Sequence, residues 1–374
     1  MITVMKMNMN FFVNTKVITG VDCVKNNAVK LGSYGDKCLI VTGRSSAKKC
    51  GALDDVISAL GETGVKYEIY DKICQNPTVE SCFDAGQLAY EIKADFILGI
   101  GGGSPLDASK AIAVIAANPY ISEEKLYAME WAQQPLPVIA VGTTAGTGSE
   151  VTSVAVITNS KGFKKSFRND LTYPVLSLGD PNYTLSLSDS FTRSTAVDAL
   201  AHCVESFFNR SANDISKIYA VAGVRKLLKV FEKISADGTE NLTLEDREEL
   251  YNASLLGGLA IAITGTAFPH ALGYFLTENY GIAHGTACAV FVNDFVDYNT
   301  DVKPELTAEF FDEIRFSKDE FKALVSAITP GINVSLSDED IKNLSVRWEN
   351  NAALKRNWGV VDTAFINTLL KKLF

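Results

Sequence analysis

Imidazole is scarce in this chain of 374 residues: His202, His270 and His284 are its three histidines. Any chemistry that needs a neutral nitrogen ligand or a proton carrier near neutral pH must draw on those positions. Basic charge is also short, with 35 Lys and Arg against 44 Asp and Glu and a net charge of −9. No Lys/Arg cluster with interleaved aromatics offsets that balance, so nucleic acid is not expected as a partner. The seven cysteines, at positions 23, 38, 50, 74, 82, 203 and 288, include no CxxC pair. An odd count without that spacing argues against a disulfide framework and reads as reduced thiols of a cytoplasmic protein. The opening residues, MITVMKMNMNFFVNTKVITG, lack a basic-then-apolar layout and a small-residue cleavage site, and secretion is not expected. Charged side chains are missing from Asn252 to Thr277, a length that could cross a bilayer. Gly257, Gly258, Gly265, Pro269 and His270 interrupt its apolar pattern and no basic flank orients it. The stretch is therefore read as a buried helix, with no membrane partner.

What is present suits a globular protein: 47% apolar and 21% charged residues, in a chain long enough for two domains with separate cores. Through about residue 182, short β-rich runs such as KCLIVTG, ADFILGIGGG and LPVIAVGTT alternate with longer helical patterns. That alternation predicts parallel pairing in a doubly wound, Rossmann-like sheet. After SLGDPNYTLSLSD the patterns become long and helical, as in TRSTAVDALAHCVESFFN. The predicted fold class is α/β plus all-α, with a dinucleotide-binding domain over 1–182 and an all-helical, metal-binding domain over 183–374.

In ADFILGIGGGSPLDASK a buried strand runs into four glycines within five residues, then into a helix start at Ser104 and Pro105. Glycines there let the backbone approach a ligand, and the helix N-terminus turns N–H groups toward it, which favours a pyrophosphate. The spacing is not GxGxxG. A second loop, VGTTAGTGSEVT, follows another apolar strand and should emerge at the same carboxyl edge, which makes Thr143, Thr144 and Thr147 candidate cofactor contacts. The first long strand ends in Gly43, Arg44, Ser45 and Ser46, where a carboxylate would select NAD. Its absence, with an arginine and hydroxyls in its place, favours NADP(H) over NAD(H).

Asp198 and His202, at i and i+4 in STAVDALAHCVES, face one side of a predicted helix. Together with His270 and His284 they make an oxygen and nitrogen donor set that suits Fe(II) or Zn(II) and leaves a position open for a substrate oxygen. Cys203 lies about 100° around the helix from His202, and Cys288, four residues past His284, is a lesser rival ligand.

The chain resembles the iron-containing (group III) alcohol dehydrogenase family, on NPT at 76–78, GGGSPLDASK at 101–110, GTTAGTGSE at 142–150, DP at 180–181, DALAHCVE at 198–205 and the two later histidines. The resemblance implies a dinucleotide domain and a helical domain with the active site in the cleft between them. It places Asp198, His202, His270 and His284 as metal ligands. Asn76, Gly101, Gly102, Gly103, Ser104, Asp107, Thr143, Thr144 and Thr147 take cofactor positions, and Lys164, beside Lys165, matches a cofactor-contacting lysine. The implied reaction is hydride transfer between a nicotinamide cofactor and a small or medium primary alcohol/aldehyde pair, in a homodimer or larger homo-oligomer. Two departures stand out. Many members carry HxxxH, where this chain has Tyr274 as the second member and hence as a candidate proton relay, and the usual proline before the two threonines is Gly142. The rival expectation is an enzyme like dehydroquinate synthase or glycerol dehydrogenase, acting on a sugar phosphate or polyol. Phe268, Leu272, Tyr274 and Phe275 around His270 suit an aliphatic aldehyde better.

Overall fold

A computed structural model describes residues 9–348 and 351–374. Its strands are β1 (Lys16–Thr19), β2 (Lys37–Thr42), β3 (Lys66–Tyr70), β4 (Phe96–Gly101), β5 (Val138–Gly142), β6 (Val154–Thr158), β7 (Lys164–Arg168) and β8 (Leu176–Gly179). Six of them form one parallel sheet in the order β1-β8-β5-β4-β2-β3, while β6 and β7 pair as an antiparallel hairpin. The central strands are apolar throughout because both faces are covered. Along β2, Leu39 and Val41 enter one core with the helices Val79–Glu91 and Gly103–Ala117. Cys38 and Ile40 enter the other, with the helix Ala52–Thr63.

Register sets the carboxyl edge of the sheet. Gly101, Gly142 and Gly179 lie side by side at the ends of β4, β5 and β8, and Thr42 pairs with Ile100. The chain leaves β2 toward β3 but leaves β4 toward β5, so its connections diverge between these adjacent strands. Such a switch point is where open parallel sheets receive ligands. The loop at Gly43 to Ser45 and the bend at Gly102, where the helix Gly103–Ala117 starts, flank it.

The chain divides into two compact units. One comprises Val13–Ser188 and Thr243–Gly258; the other comprises residues 9–12 together with Asp189–Leu242 and Leu259–Phe374. This differs from a single cut after residue 182, because the helix Leu244–Thr264 gives its first part to the sheet unit and its last part to the helical unit. Tyr251, on the first part, is fully buried, and its hydroxyl donates to Glu150 at 3.1 Å. In the second unit no strand occurs among the described residues. Its core is a set of aromatic rings, with Phe208, Phe268, Phe295 and Phe310 in edge or tilted contact.

The uncharged stretch from Asn252 to Thr277 is two helices rather than one. Leu244–Thr264 and Phe268–Tyr280 meet at a bend of 111°. Among the described residues no single helix is long and apolar enough to cross a membrane. Gly265, at φ +70°, breaks the first helix, and Pro269 sits in the opening turn of the second, where its missing N–H costs nothing.

Candidate functional site

At the sheet edge, backbone sets the geometry. Gly101 holds φ at +151°, and a β-carbon there would lie 2.6 Å from Pro105 Cγ, so glycine alone fits. Gly102 then opens the helix Gly103–Ala117 with no side chain capping its first N–H groups, the arrangement that presents positive dipole to an anion. Ser104 Oγ accepts from the backbone N–H of Asn76, which itself takes the left-handed conformation at φ 57°. Thr144 and Thr147 pack over Gly102 and Gly103: β-carbons on those glycines would come within 2.8 Å of the two side chains. The structure thus gathers Asn76, Gly101, Gly102, Gly103, Ser104, Thr144 and Thr147 into one neighbourhood, and the Thr143 N–H joins it by donating to Gly101 O.

Asp107 has two partners within the sheet unit. Its Oδ1 accepts from Ser149 Oγ at 2.5 Å and its Oδ2 from the Val156 N–H at 3.0 Å, so the carboxylate braces the helix against the loop and β6. Lys110, one turn on, is fully buried. Its amine donates to Ser149 Oγ at 2.8 Å and Val154 O at 2.7 Å, with Asp107 Oδ1 at 3.5 Å. Burial pushes this amine below the usual lysine range. Sequence reading missed the brace, although both residues lie in the quoted GGGSPLDASK. Gly142, the departure from proline, also finds its reason. A β-carbon there would overlap Glu150 Oε1 and the Tyr251 hydroxyl.

Arg44 and Ser45 are exposed beyond the end of β2. The two lysines of β7 point to opposite faces, as strand geometry requires. The Lys165 amine sits 4.5 Å over the Tyr127 ring, which leaves Lys164 on the other side.

In the helical unit, side chains set the geometry. Asp198, His202 and Glu205 occupy i, i+4 and i+7 of the helix Asp189–Phe207, all buried on one face. His270 rises from the first turn of Phe268–Tyr280, and His284 opens the short helix His284–Ala289. Gly285 lets that short helix close on the first, since a β-carbon would overlap Ser194 O and lie 2.7 Å from Asp198 Cβ. The result is convergence. One ligand atom each from Asp198, His270, His284 and Cys288 lies within 4.8 Å of the others.

Asp198 Oδ1 and His270 Nε2 face each other at 3.4 Å, and neither atom has a hydrogen-bond partner. Two buried polar atoms left in this state are costly unless a cation joins them, so the donors fit a divalent ion. His202 stacks on His270, with ring centroids 4.5 Å apart and planes 19° from parallel. It adjoins the convergent group but is not within it. Cys288 Sγ lies 3.7 and 3.9 Å from the two nitrogens of His284, nearly equidistant, and so off the lone-pair axis of either.

On its other side His270 meets Glu205, whose Oε1 is 2.5 Å from Nδ1 while Oε2 accepts from the Ala267 N–H at 2.5 Å. Burial opposes a charged imidazole here, yet the negative charges of Cys288, when ionised, and Glu205, with the Asp198 contact, raise His270 well above its usual range. Burial likewise opposes a charged Asp198, but the three histidines around it hold the carboxyl well below its usual range. Burial pushes the Cys288 thiol up to about 11, so it is neutral at ordinary pH. Protons and a metal ion compete for such a site.

Tyr274 stacks on His284, centroids 5.3 Å apart and planes 13° from parallel. Phe268, Leu272 and Phe275 do not form the apolar lining expected of them. All three are fully buried, Phe268 against Phe295 and Phe365, and Phe275 against Trp348 and Phe374.

The description "Iron-containing alcohol dehydrogenase" matches residues 14–181, and "Fe-containing alcohol dehydrogenase family, C-terminal" matches residues 192–357. The chain belongs to the iron-containing alcohol dehydrogenase family. It is accordingly an oxidoreductase. A 1,3-propanediol dehydrogenase of Citrobacter freundii is 34% identical over 284 residues, covering 74% of this chain and 71% of that one. The crystal structure of an iron-containing alcohol dehydrogenase from Thermotoga maritima superposes with a TM-score of 0.89 at 33% identity, covering 97% of this chain and 99% of that one. A sulfoacetaldehyde reductase from Bifidobacterium kashiwanohense, solved in complex with NAD+, gives a TM-score of 0.87 at 26% identity over 98% of this chain and 99% of that one.

Proposed function

We propose that this family member transfers hydride between NADP(H) and a small or medium primary alcohol/aldehyde pair, with Asp198, His202, His270 and His284 holding Fe(II) or Zn(II). The observation that carries the reading is the buried, unbonded pair of Asp198 Oδ1 and His270 Nε2, with a His284 nitrogen beside it. When bound, the cation supplies Lewis acidity to a substrate oxygen and the nicotinamide supplies or accepts the hydride. The residues of the chain do the rest. Asp198 stays anionic, His270 is oriented by Glu205, and the uncapped helix start after Gly102 with Ser104, Thr144 and Thr147 would hold the pyrophosphate.

Preference for a 2′-phosphate is drawn from Gly43, Arg44 and Ser45 at the end of β2, beside the glycine-loop strand and with no carboxylate in the turn. The choice of a small or medium primary alcohol is supported by the relative named for 1,3-propanediol. A cytoplasmic homodimer or larger homo-oligomer belongs to the same reading, and light scattering checks its size.

The test is metal analysis of freshly purified protein, joined to initial rates with NADPH and NADH on an aldehyde panel and an assay for phosphate release from a sugar phosphate. Bound iron or zinc with NADPH oxidised faster than NADH is the expected outcome. Metal-free protein of full activity, or phosphate release in place of aldehyde reduction, refutes the reaction; equal or better rates with NADH refute the cofactor choice alone.

A further inference from the structure

We infer that Glu205 is the positioning residue of the metal centre, fixing the proton of His270 on Nδ1 so that the Nε2 lone pair is the one turned to Asp198 and the cation. The inference rests on the function proposed above and says how one of its ligands is set.

Both oxygens of Glu205 have a close nitrogen partner. Oε2 takes the N–H of Ala267, a main-chain group that can only donate, and Oε1 takes the His270 ring at Nδ1. An ionised carboxylate has no proton to give, so the imidazole must donate from Nδ1. The remaining nitrogen, Nε2, is the atom 3.4 Å from Asp198 Oδ1. One buried side chain thus fixes the start of the helix Phe268–Tyr280 and the ring that this start carries. Glu205 is fully buried, so no water competes for either contact. A carboxylate behind a ligating histidine raises its basicity and locks its orientation.

The amide of glutamine cannot reproduce this. Its single oxygen must go to the obligate donor, Ala267 N–H, which turns the NH2 group toward Nδ1. An NH2 donor demands a bare Nδ1, and the proton then sits on Nε2, where it blocks ligation. Glu205→Gln nearly conserves volume while inverting the histidine.

The experiment loads full-length protein with zinc and compares wild type, Glu205→Asp and Glu205→Gln by chelator competition and by proton NMR of the imidazole N–H region, which three histidines keep simple. Wild type should show a downfield Nδ1–H on His270, Glu205→Gln should lack it and bind zinc about 10–100-fold more weakly, and Glu205→Asp should fall between. Equal zinc affinity in Glu205→Gln and wild type overturns the inference. Should the glutamine variant fail to fold, the wild-type spectrum decides: a His270 bound through Nδ1, with its proton on Nε2, overturns it equally. A wild type that binds neither zinc nor iron defeats the proposed function, whereas zinc bound with no effect of Glu205 defeats this inference alone.

Discussion

The sheet edge and the helical centre solve opposite problems with the same residue, glycine. At the edge, Gly101 to Gly103 bring backbone forward to an uncapped helix start, and the residues gathered there come from short loops. In the helical unit, Gly285 only allows two helices to touch, and the donors come from three helices that the sequence separates by up to 86 positions, from Asp198 to His284. Backbone sites are local and need residues without a β-carbon; side-chain sites depend on packing and on each buried charge having a counterpart. Four variants probe that contrast.

His270→Ala should have the largest effect on the helical centre, abolishing metal retention and turnover together while thermal unfolding of the sheet unit changes little. Parallel metal analysis, rate measurement and calorimetry check it, and an active metal-free variant would end the contrast. Lys110→Met should do the reverse. It leaves Asp107 and Ser149 without their buried cation partner, a loss of about 3–5 kcal/mol, visible in denaturant unfolding with metal stoichiometry intact.

Glu150→Gln tests the sheet unit by pH. Burial raises the Glu150 carboxyl above its usual range, so the folded state holds its proton longer than the unfolded chain. Stability contributed by that proton is complete below the ordinary carboxylate range and is lost as pH rises through the raised value. The glutamine variant should flatten that decline in urea midpoints measured across the same window. Tyr274→Phe is expected to act least on stability, because ring stacking on His284 survives. If the hydroxyl relays a proton, the pH–rate profile shifts; an identical profile removes Tyr274 from the reaction.

Much of this was legible beforehand. Strand alternation in KCLIVTG, ADFILGIGGG and LPVIAVGTT predicted the parallel sheet, since apolar runs of that length between helices have few other uses. The i, i+4 step of Asp198 and His202 was readable too, but its meaning was incomplete: Asp198 enters the convergent group, His202 stacks beside it, and Glu205, one further turn along, was overlooked although the quoted motif ends on it. Asp107 is an expected cofactor position by its motif, and the fold adds what the motif does not show, its contacts with Ser149 and Val156. Phe268, Leu272 and Phe275 looked like a substrate lining because they neighbour His270 in sequence, whereas a helix turns neighbours to different faces.

The sequence alone determined the fold class, the family and the residue types able to hold a cation, because periodicity and short motifs are written in contiguous residues. Tertiary structure alone decided which atoms meet, that Asp198 Oδ1 and His270 Nε2 face each other unbonded, that Glu205 stands behind the ring, and why Gly142 replaces proline. The physical reason is range: helical and strand periods act over a few residues, while a buried donor set is fixed by close packing between segments far apart in the chain.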